Sequence, residues 1–483
     1  MESHKKVTAC VLGLAGAFAL SGAAHAGDHP DGYGSPDFGV IRDQLLEALS
    51  LPLFGVEKPL RRASRQSIDA ATADSNPRAL VRLARGLRAR VVSAEADLGP
   101  NIDMMALYPP HHPTHIIACN EQGPTEPGLQ RIRLSDGKAE TILTGTNSCD
   151  PVHVTPWGTV LFGEESGSTG TVLKLIHPLG TTGVMYDREA HTLTGADAAN
   201  VVERPALGHL SFEGVVVYPN GVVYYGDENR PADGVGGGAY FKFIPDVPWM
   251  GGGWISDLSQ SPLVAGSVYG LRLGMRSGGT DYGQGTETGR GTWVQVVTSY
   301  DADLRAAAAE LSLTGYYRPE DGNADERALA KGYVRFCSNN TGNEGDDQSW
   351  GNTICVTDGT LDEALANTAV PAVQLFVVGT PAFSMMDNIA YRPYAGTWVL
   401  HEDRDAVELT DGRYPFNDSI WMCLEDGKDD DTLSDGCVRV VTLNDLNAES
   451  TGGFFDRSGR HYFFSVQHNV TGHGVILDVT GWH

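Results

Sequence analysis

Six copies of one short pattern recur between residue 101 and residue 483: a Gly-containing turn, a strand of four to six β-prone residues, then two adjacent polar side chains. The helical period of the first hundred residues fades where the copies begin, and 59 glycines and 25 prolines supply the turns that many short strands need. Together these features predict an all-β fold, a six-bladed β-propeller behind a partly helical N-terminal extension.

The chain divides into three expected parts. Lys5 and Lys6 precede an apolar run over residues 7–20, and Ala24-His25-Ala26 follows with the small-x-small pattern of a cleavage site, so residues 1–26 read as a signal peptide. The run is too short to span a bilayer and no twin arginine precedes it. The expected product is a Sec-exported soluble protein, periplasmic or secreted, with no membrane anchor. Residues 27–100 form the extension, with helical spacing over 37–49 and 76–92; the second stretch carries Arg78, Arg82, Arg85, Arg88 and Arg90. That basic face is read as solvated and packed on an acidic domain rather than laid on a membrane. Residues 101–483 form the propeller.

Within it THIIACNEQG ends its strand on Asn120-Glu121, GTVLFGEESG on Glu164-Glu165 and NGVVYYGDEN on Asp227-Glu228. GYVRFCSNNTGN ends on Asn339-Asn340, GTWVLHEDRD on Glu402-Asp403 and RHYFFSVQHN on Gln467-His468. Read at the second polar residue, the spacings are 44, 63, 112, 63 and 65 residues, the long interval marking an insertion. A second regularity lies upstream: Cys149 stands 16 residues before Glu165, Glu213 15 before Glu228, Glu320 20 before Asn340, and Asp387 16 before Asp403. Glu449, 19 before His468, is a looser match. Two short antiparallel strands and their turn bring the chain back to the face it left, so both members of each pair are expected near one end of a central channel.

The converging set is Cys149, Glu121, Glu164, Glu165, Glu213, Asp227, Glu228, Glu320, Asp387, Glu402, Asp403 and His468, with Asn120, Asn339, Asn340 and Asn388 as neutral oxygen donors. So many carboxylates around one axis repel one another unless cations lie between them. Oxygen donors of this kind suit Ca2+, whereas one thiolate points to a softer transition metal beside it. The whole chain agrees: 61 acidic against 35 basic side chains give a net charge of −26, which excludes a nucleic-acid partner and favours cations.

Removal of the leader leaves six of the seven cysteines. Cys337 with Cys355 and Cys423 with Cys437 can each close a short loop in an oxidising compartment. Cys119 and Cys149 either form a third bridge or leave Cys149 as a metal thiolate. Arg318, before Pro319-Glu320, is either a surface ion-pair partner or a guanidinium aimed at a phosphate or carboxylate. Residues 278–291 (GGTDYGQGTETGRG) lack the Lys-Ser/Thr of a phosphate loop, and residues 425–436 (EDGKDDDTLSDG) lack calcium-loop register, so both read as connecting loops.

NSCDPVHVTPWGTVLFGEE resembles the Asn-Cys…Thr-Pro-Trp-Gly-Thr…Glu-Glu segment of the PhoX-type alkaline phosphatases, and HLSFEGVVVYPNGVVYYGDEN…AYFKFIP their His-Glu-Gly…Gly-Asp-Asp/Glu…Tyr-Lys-Phe segment. YYRPED resembles their Arg-Pro-Glu element, MMDNIAYRPYAGTWVLHED their Pro-Asp-Asn…Trp element, and GGFFDRSGRHYFFSVQH their terminal Gln-His element. The resemblance runs from about residue 103 to the C-terminus. Asp150-Pro151-Val152-His153 stand where that family is small and Gly-rich, and Met386 stands where it has proline.

The resemblance implies an enzyme that hydrolyses small-molecule phosphate monoesters outside the cytoplasm with Ca2+ and Fe3+ near the axis; the sequence leaves the oligomeric state open, a monomer being favoured. Cys149 would be the iron thiolate; Glu213, Glu320 and Asp387 or Asp403 would be further ligands. Glu164, Glu165, Asp227 and Glu228 would serve the calcium side, with Glu121 and Asn388 among the metal donors, and Arg318 would clamp the phosphate. Cys149, Arg318 and Glu320 are thus the expected catalytic group. Two other readings use the same ring: a non-catalytic, calcium-stabilised binding propeller, and a calcium-dependent lactonase-type hydrolase. Cys149 separates them, because calcium chemistry of the lactonase kind has no use for a thiolate.

Overall fold

The computed structural model describes residues 39–232, 236–274, 287–296, 301–343, 349–404, 416–427 and 431–483. The expected signal peptide lies outside them, as do most of the Gly-rich 278–291 loop and residues 428–430 of the acidic one. No helix among the described residues is long and apolar enough to cross a membrane.

The architecture is an all-β, propeller-like ring of antiparallel meanders. Each meander opens on an inner strand: Ile102–Tyr108, Cys149–Val154, Phe212–Val217, Pro319–Ala324, Met386–Arg392 and Glu449–Phe455. Each inner strand packs against the next and the last packs against the first, so the ring is closed. Most residues of these inner strands are buried, as closed packing of the ring requires.

The expectation of six separate blades needs correction. Four sheets stand apart, but the third and fourth meanders form one nine-stranded sheet. The long interval in the repeat supplies an extra strand, Gly289–Gln295, whose pairs Gly289↔Val373 and Arg290↔Ala372 stitch the outer edges together. Strand period says nothing about such edge pairing. A buried cluster also ties these meanders: Asp358 accepts from Lys242 Nζ (2.6 Å), Tyr224 Oη (2.6 Å) and Trp293 Nε1 (3.0 Å). Three partners satisfy a carboxylate that would otherwise be costly to bury.

The extension differs more. Gly39–Ala48 is helical, within the expected 37–49, and a second short helix, Ser50–Phe54, follows it. The arginine-rich stretch 76–92 is not one helix. Pro77–Leu80 makes a short 3-10 turn, after which Val81–Leu83 pairs with Cys437–Leu443 and Arg88–Ser93 with Val475–Thr480. Gly86, at φ +96°, breaks the helical run between the two strands. The first segment therefore supplies the outer strands of the last two meanders, closing the ring with both ends of the chain. Tertiary pairing overrides helical spacing here. The arginines serve internal contacts, Arg90 with Asp478 (3.0 Å) and Arg85 with Glu57 (3.1 Å). Leu46, Phe54, Val56 and Leu80 pack with Val440, Phe464 and Leu477 in one core cluster.

Two disulfides join residues directly opposite on neighbouring strands, Cys337–Cys355 and Cys423–Cys437. The third, Cys119–Cys149, ties the first meander to the inner strand of the second. In that second meander, Thr155-Pro156-Trp157-Gly158-Thr159 turns the chain back: Thr155 N donates to Thr159 O (2.8 Å), Gly158 takes φ +84°, and Trp157 is buried.

Candidate metal centre

A slip in register aims the acids. In five inner strands, two residues oppose one on the partner: Ile102↔Asn120 is followed by Met105↔Ala118, Cys149↔Glu164 by Val152↔Phe162, and Phe212↔Asp227 by Val215↔Tyr225. Pro319↔Asn340 is followed by Gly322↔Ser338, and Met386↔Glu402 by Ile389↔Leu400. Such bulges re-aim a side chain. The residue that enters each bulge is an acid, Asp103, Asp150, Glu213, Glu320 and Asp387, and all five line one open cavity of about 510 Å³. The sixth inner strand has Gly452-Gly453 at its bulge, between Thr451↔Ser465 and Phe454↔Phe463, and instead sends Glu449 into the cavity.

In the first, second, third and fifth meanders the returning strands sort the polar pair by alternation, whereas in the sixth both Gln467 and His468 line the cavity. The first member turns away from the axis and holds the backbone that enters the inner strand. Asn101 N donates to Asn120 Oδ1 (3.1 Å), Asn147 N to Glu164 Oε1 (2.9 Å), Ser211 N to Asp227 Oδ1 (3.3 Å) and Ser384 N to Glu402 Oε1 (3.0 Å). Arginines neutralise these outer carboxylates: Arg188 with Glu164 (2.7 Å) and Arg305 with Asp227 (2.7 Å). The second member, Glu121, Glu165, Glu228 or Asp403, turns into the cavity near its mouth and is only half-buried. Each also donates its backbone N–H to the residue that precedes the inner strand: Glu121 to Asn101, Glu165 to Ser148, Glu228 to Ser211 and Asp403 to Met385.

The sequence-derived set is therefore brought together in part. Glu121, Glu165, Glu213, Glu228, Arg318, Glu320, Asp387, Asp403 and His468 line the cavity. Glu164 and Asp227 do not; they are the outward members, paired with arginines. Asn388 braces the floor, accepting from Gly452 N (2.9 Å) with its amide nitrogen 3.4 Å from Asp103 Oδ1. In the fourth meander the polar pair is one residue later than its sequence reading: Thr341, not Asn340, donates its backbone N–H to Arg318 O. The Thr341 hydroxyl bonds Glu320 Oε1.

Cys149 needs the largest correction. Its sulfur is bonded to that of Cys119, both residues are fully buried, and Cys149 does not line the cavity. It occupies the paired position just before the bulge, so its side chain faces the first meander while Asp150 faces the axis. An iron thiolate does not fit this residue, and its assigned catalytic role goes with it. Asp150 was legible: it precedes Glu165 by the same interval as Glu213 precedes Glu228. Asp103, in the first inner strand, was legible in the same way, 18 residues before Glu121, whereas Asp418, on the cavity wall, belongs to no such pair.

Three overlapping groups of ligand oxygens lie within 4.8 Å of one another: Asp150-Glu165-Glu213, Glu213-Glu320-Asp387 and Asp387-Asp403-Glu449. Asp150 Oδ1 and Asp387 Oδ1 are buried without a hydrogen-bond partner. Burial, reinforced by like charge, pushes Glu121 up to about 7, and burial pushes Asp150 up to about 6 and Glu320 up to about 8. Burial and neighbouring carboxylates carry Glu213, Asp387 and Glu449 well above the usual range. Crowded, partnerless buried oxygens of this kind are the donor set of a hard cation.

Arg318 crosses this ring. Its Nε lies 2.6 Å from Glu228 Oε1 and 3.4 Å from Glu320 Oε1, with Nη1 3.8 Å from Asp403 Oδ2. Burial opposes its charge, but Glu320, Glu228 and Asp403 outweigh burial and raise its pKa. For Glu228 burial is likewise outweighed, here by Arg318, which holds it below the usual carboxylate range. The Arg318 backbone takes φ +55°, one of three residues, with Ser148 (+46°) and Met385 (+53°), that enter inner strands in the left-handed region.

The family model for alkaline phosphatase PhoX matches residues 112–469. Among solved structures the chain is similar to Pseudomonas fluorescens PhoX in complex with vanadate, at 16% identity and a TM-score of 0.60, over 87% of this chain and 100% of that one. The PQQ-bound aldose sugar dehydrogenase of Streptomyces coelicolor (10% identity, TM-score 0.41, 83% and 99% covered) resembles it more distantly. So does a gluconolactonase of Xanthomonas campestris (11% identity, TM-score 0.40, 86% and 93% covered). No curated protein matches the sequence. With most of its propeller-like ring matched by that one model, the chain belongs to the alkaline phosphatase PhoX family.

Proposed function

We propose that this protein is an exported, cation-dependent phosphatase that releases phosphate from small-molecule monoesters at the carboxylate ring of a six-bladed propeller, the nine-stranded sheet being two blades joined at their edges. The observation that carries the reading is Arg318: in a chain of a phosphatase family, its guanidinium stands between Glu228, Glu320 and Asp403 in the cavity, whereas the second guanidinium of the lining, Arg404, lies against the outward Glu402. A guanidinium offers a phosphoryl group bidentate hydrogen bonds. Glu228 holds Nε, which orients the fork.

The three carboxylate groups would hold hard cations such as Ca2+, which supply charge neutralisation at the phosphoryl oxygens. The remaining work belongs to the chain. Asp103, Asp150, Glu213, Glu320 and Asp387 are fixed by strand bulges, so their geometry owes nothing to mobile loops. The outward carboxylates Glu164 and Asp227 hold the backbone on either side, and their arginines keep that second layer neutral. With Cys149 sulfur-bonded, the lactonase reading loses its discriminator, and Arg318 takes that place because a lactone has no anionic oxygens to clamp. Three disulfides suit an oxidising compartment, in keeping with Sec-type export.

The test is phosphate release from 4-nitrophenyl phosphate by the purified protein, with metal content measured in parallel. Release that chelation abolishes and Ca2+ restores is expected. No release with both calcium and iron supplied, or turnover of a lactone instead, would sink the reading.

A further inference from the structure

We propose that the mouth of this site selects phosphate monoesters whose leaving group is uncharged, and that a wall built by the sixth meander receives it. This inference rests on the phosphatase reading. Four meanders each place a carboxylate at the mouth, the half-buried second members of the polar pairs described above. One sector differs: it is lined by Leu446, Asn447, Ala448 and His468, with no carboxylate among them. Asn447 and His468 are exposed, Leu446 is half-buried and Ala448 is buried, so this sector runs from solvent towards the floor where Glu449 lies.

The wall is fixed in place. Asp445, only 2% exposed, accepts from Asn447 N (3.3 Å) and Ser67 Oγ (3.3 Å) through Oδ1 and from Val470 N (2.6 Å) through Oδ2. Leu446 N donates to Ser67 Oγ (3.4 Å). One buried carboxylate thus joins the loop of Leu446, the loop after His468 and the N-terminal extension.

The phosphoryl group belongs on the floor, among the acids that hold cations, so the rest of the ester must extend through the mouth. There an anionic leaving group meets the carboxylates of four meanders, while the two guanidiniums of the cavity, Arg318 and Arg404, are already engaged by Glu228 (2.6 Å) and Glu402 (3.7 Å), and the net charge of −26 repels polyanions before they arrive. A neutral aryl or alkyl group instead meets the Leu446 side chain and loses no charge solvation.

The experiment compares kcat/KM for phenyl phosphate and 4-carboxyphenyl phosphate in the wild-type protein with bound Ca2+, in Leu446→Lys and in Leu446→Glu. We expect the wild type to favour the neutral ester about tenfold, Leu446→Lys to bring the ratio near one, and Leu446→Glu to widen it by about threefold, mainly through KM and more strongly at low salt. Equal use of both esters by the wild type, or one ratio in all three proteins, would overturn the selection. Phosphate release from neither ester would overturn the phosphatase reading itself. Metal content measured on each variant separates a changed mouth from a lost cation, and loss of the cation in Leu446→Lys with an unchanged ratio would also count against the wall.

Discussion

Replacing Asp150 with asparagine is expected to move stability in opposite directions with and without cation. Asp150 is 1% exposed, and burial lifts its pKa from the ordinary 3.8 to about 6. A lift of about two units corresponds to about 2–3 kcal/mol by which the ionised carboxylate disfavours the metal-free fold above pH 6. The sign follows from linkage: an acid whose pKa is raised by folding costs nothing below its unfolded pKa, and the cost is complete once pH exceeds the folded value. At pH 8 Asp150→Asn therefore stabilises the chelated protein by about 2–3 kcal/mol, raising Tm by about 2–3 °C for a chain of this length. Near pH 4 the gain vanishes. With Ca2+ the order reverses, because the amide cannot repay the cation with charge, and calcium affinity falls at least tenfold. Calorimetry with and without chelator, beside calcium titration, reads both limbs. If Asp150→Asn lowers Tm equally in both states, the carboxylate is a structural hydrogen-bonding group and the reasoning fails.

Other expectations share this logic. Cys149→Ser should cost about 3–4 kcal/mol, the chain-entropy value for a 30-residue loop, yet leave cation content unchanged; loss of metal by elemental analysis would restore the thiolate. Arg318→Ala should weaken inhibition by inorganic phosphate about tenfold or more while cation affinity holds or tightens, since a positive charge leaves the ring; loss of all metal would mark Arg318 as structural. The chelated wild type should lose stability as pH rises from about 4 to 8, between the ordinary and the raised pKa values of Asp150, Glu121 and Glu320, and Ca2+ should remove that slope in thermal melts.

How much of the centre could be read in advance depends on how local each signal is. Glu121, Glu165, Glu228 and Asp403 follow β-prone runs as second members of polar pairs, and alternation along a strand is enough to send them to one face. Glu213, Glu320 and Asp387 were found by spacing alone. Glu164 and Asp227 looked equivalent to their neighbours because a list of adjacent acids does not say which one the pleat turns outward. Arg188 and Arg305, which neutralise them, come from connecting segments whose return to the ring no period describes.

The sequence by itself determined the all-β ring, the segments that build it, the two disulfides between neighbouring strands and the family, because alternation, turns and motif order are properties of short stretches of chain. Only the tertiary structure decided that 76–92 completes two outer sheets, that two meanders fuse, and that Cys149 meets Cys119 while Asp150 takes the axis. Those outcomes turn on one residue of register at a bulge and on which distant edges find each other. A shift of one residue exchanges the two faces of a strand, and nothing within the strand itself records which face the rest of the ring will claim.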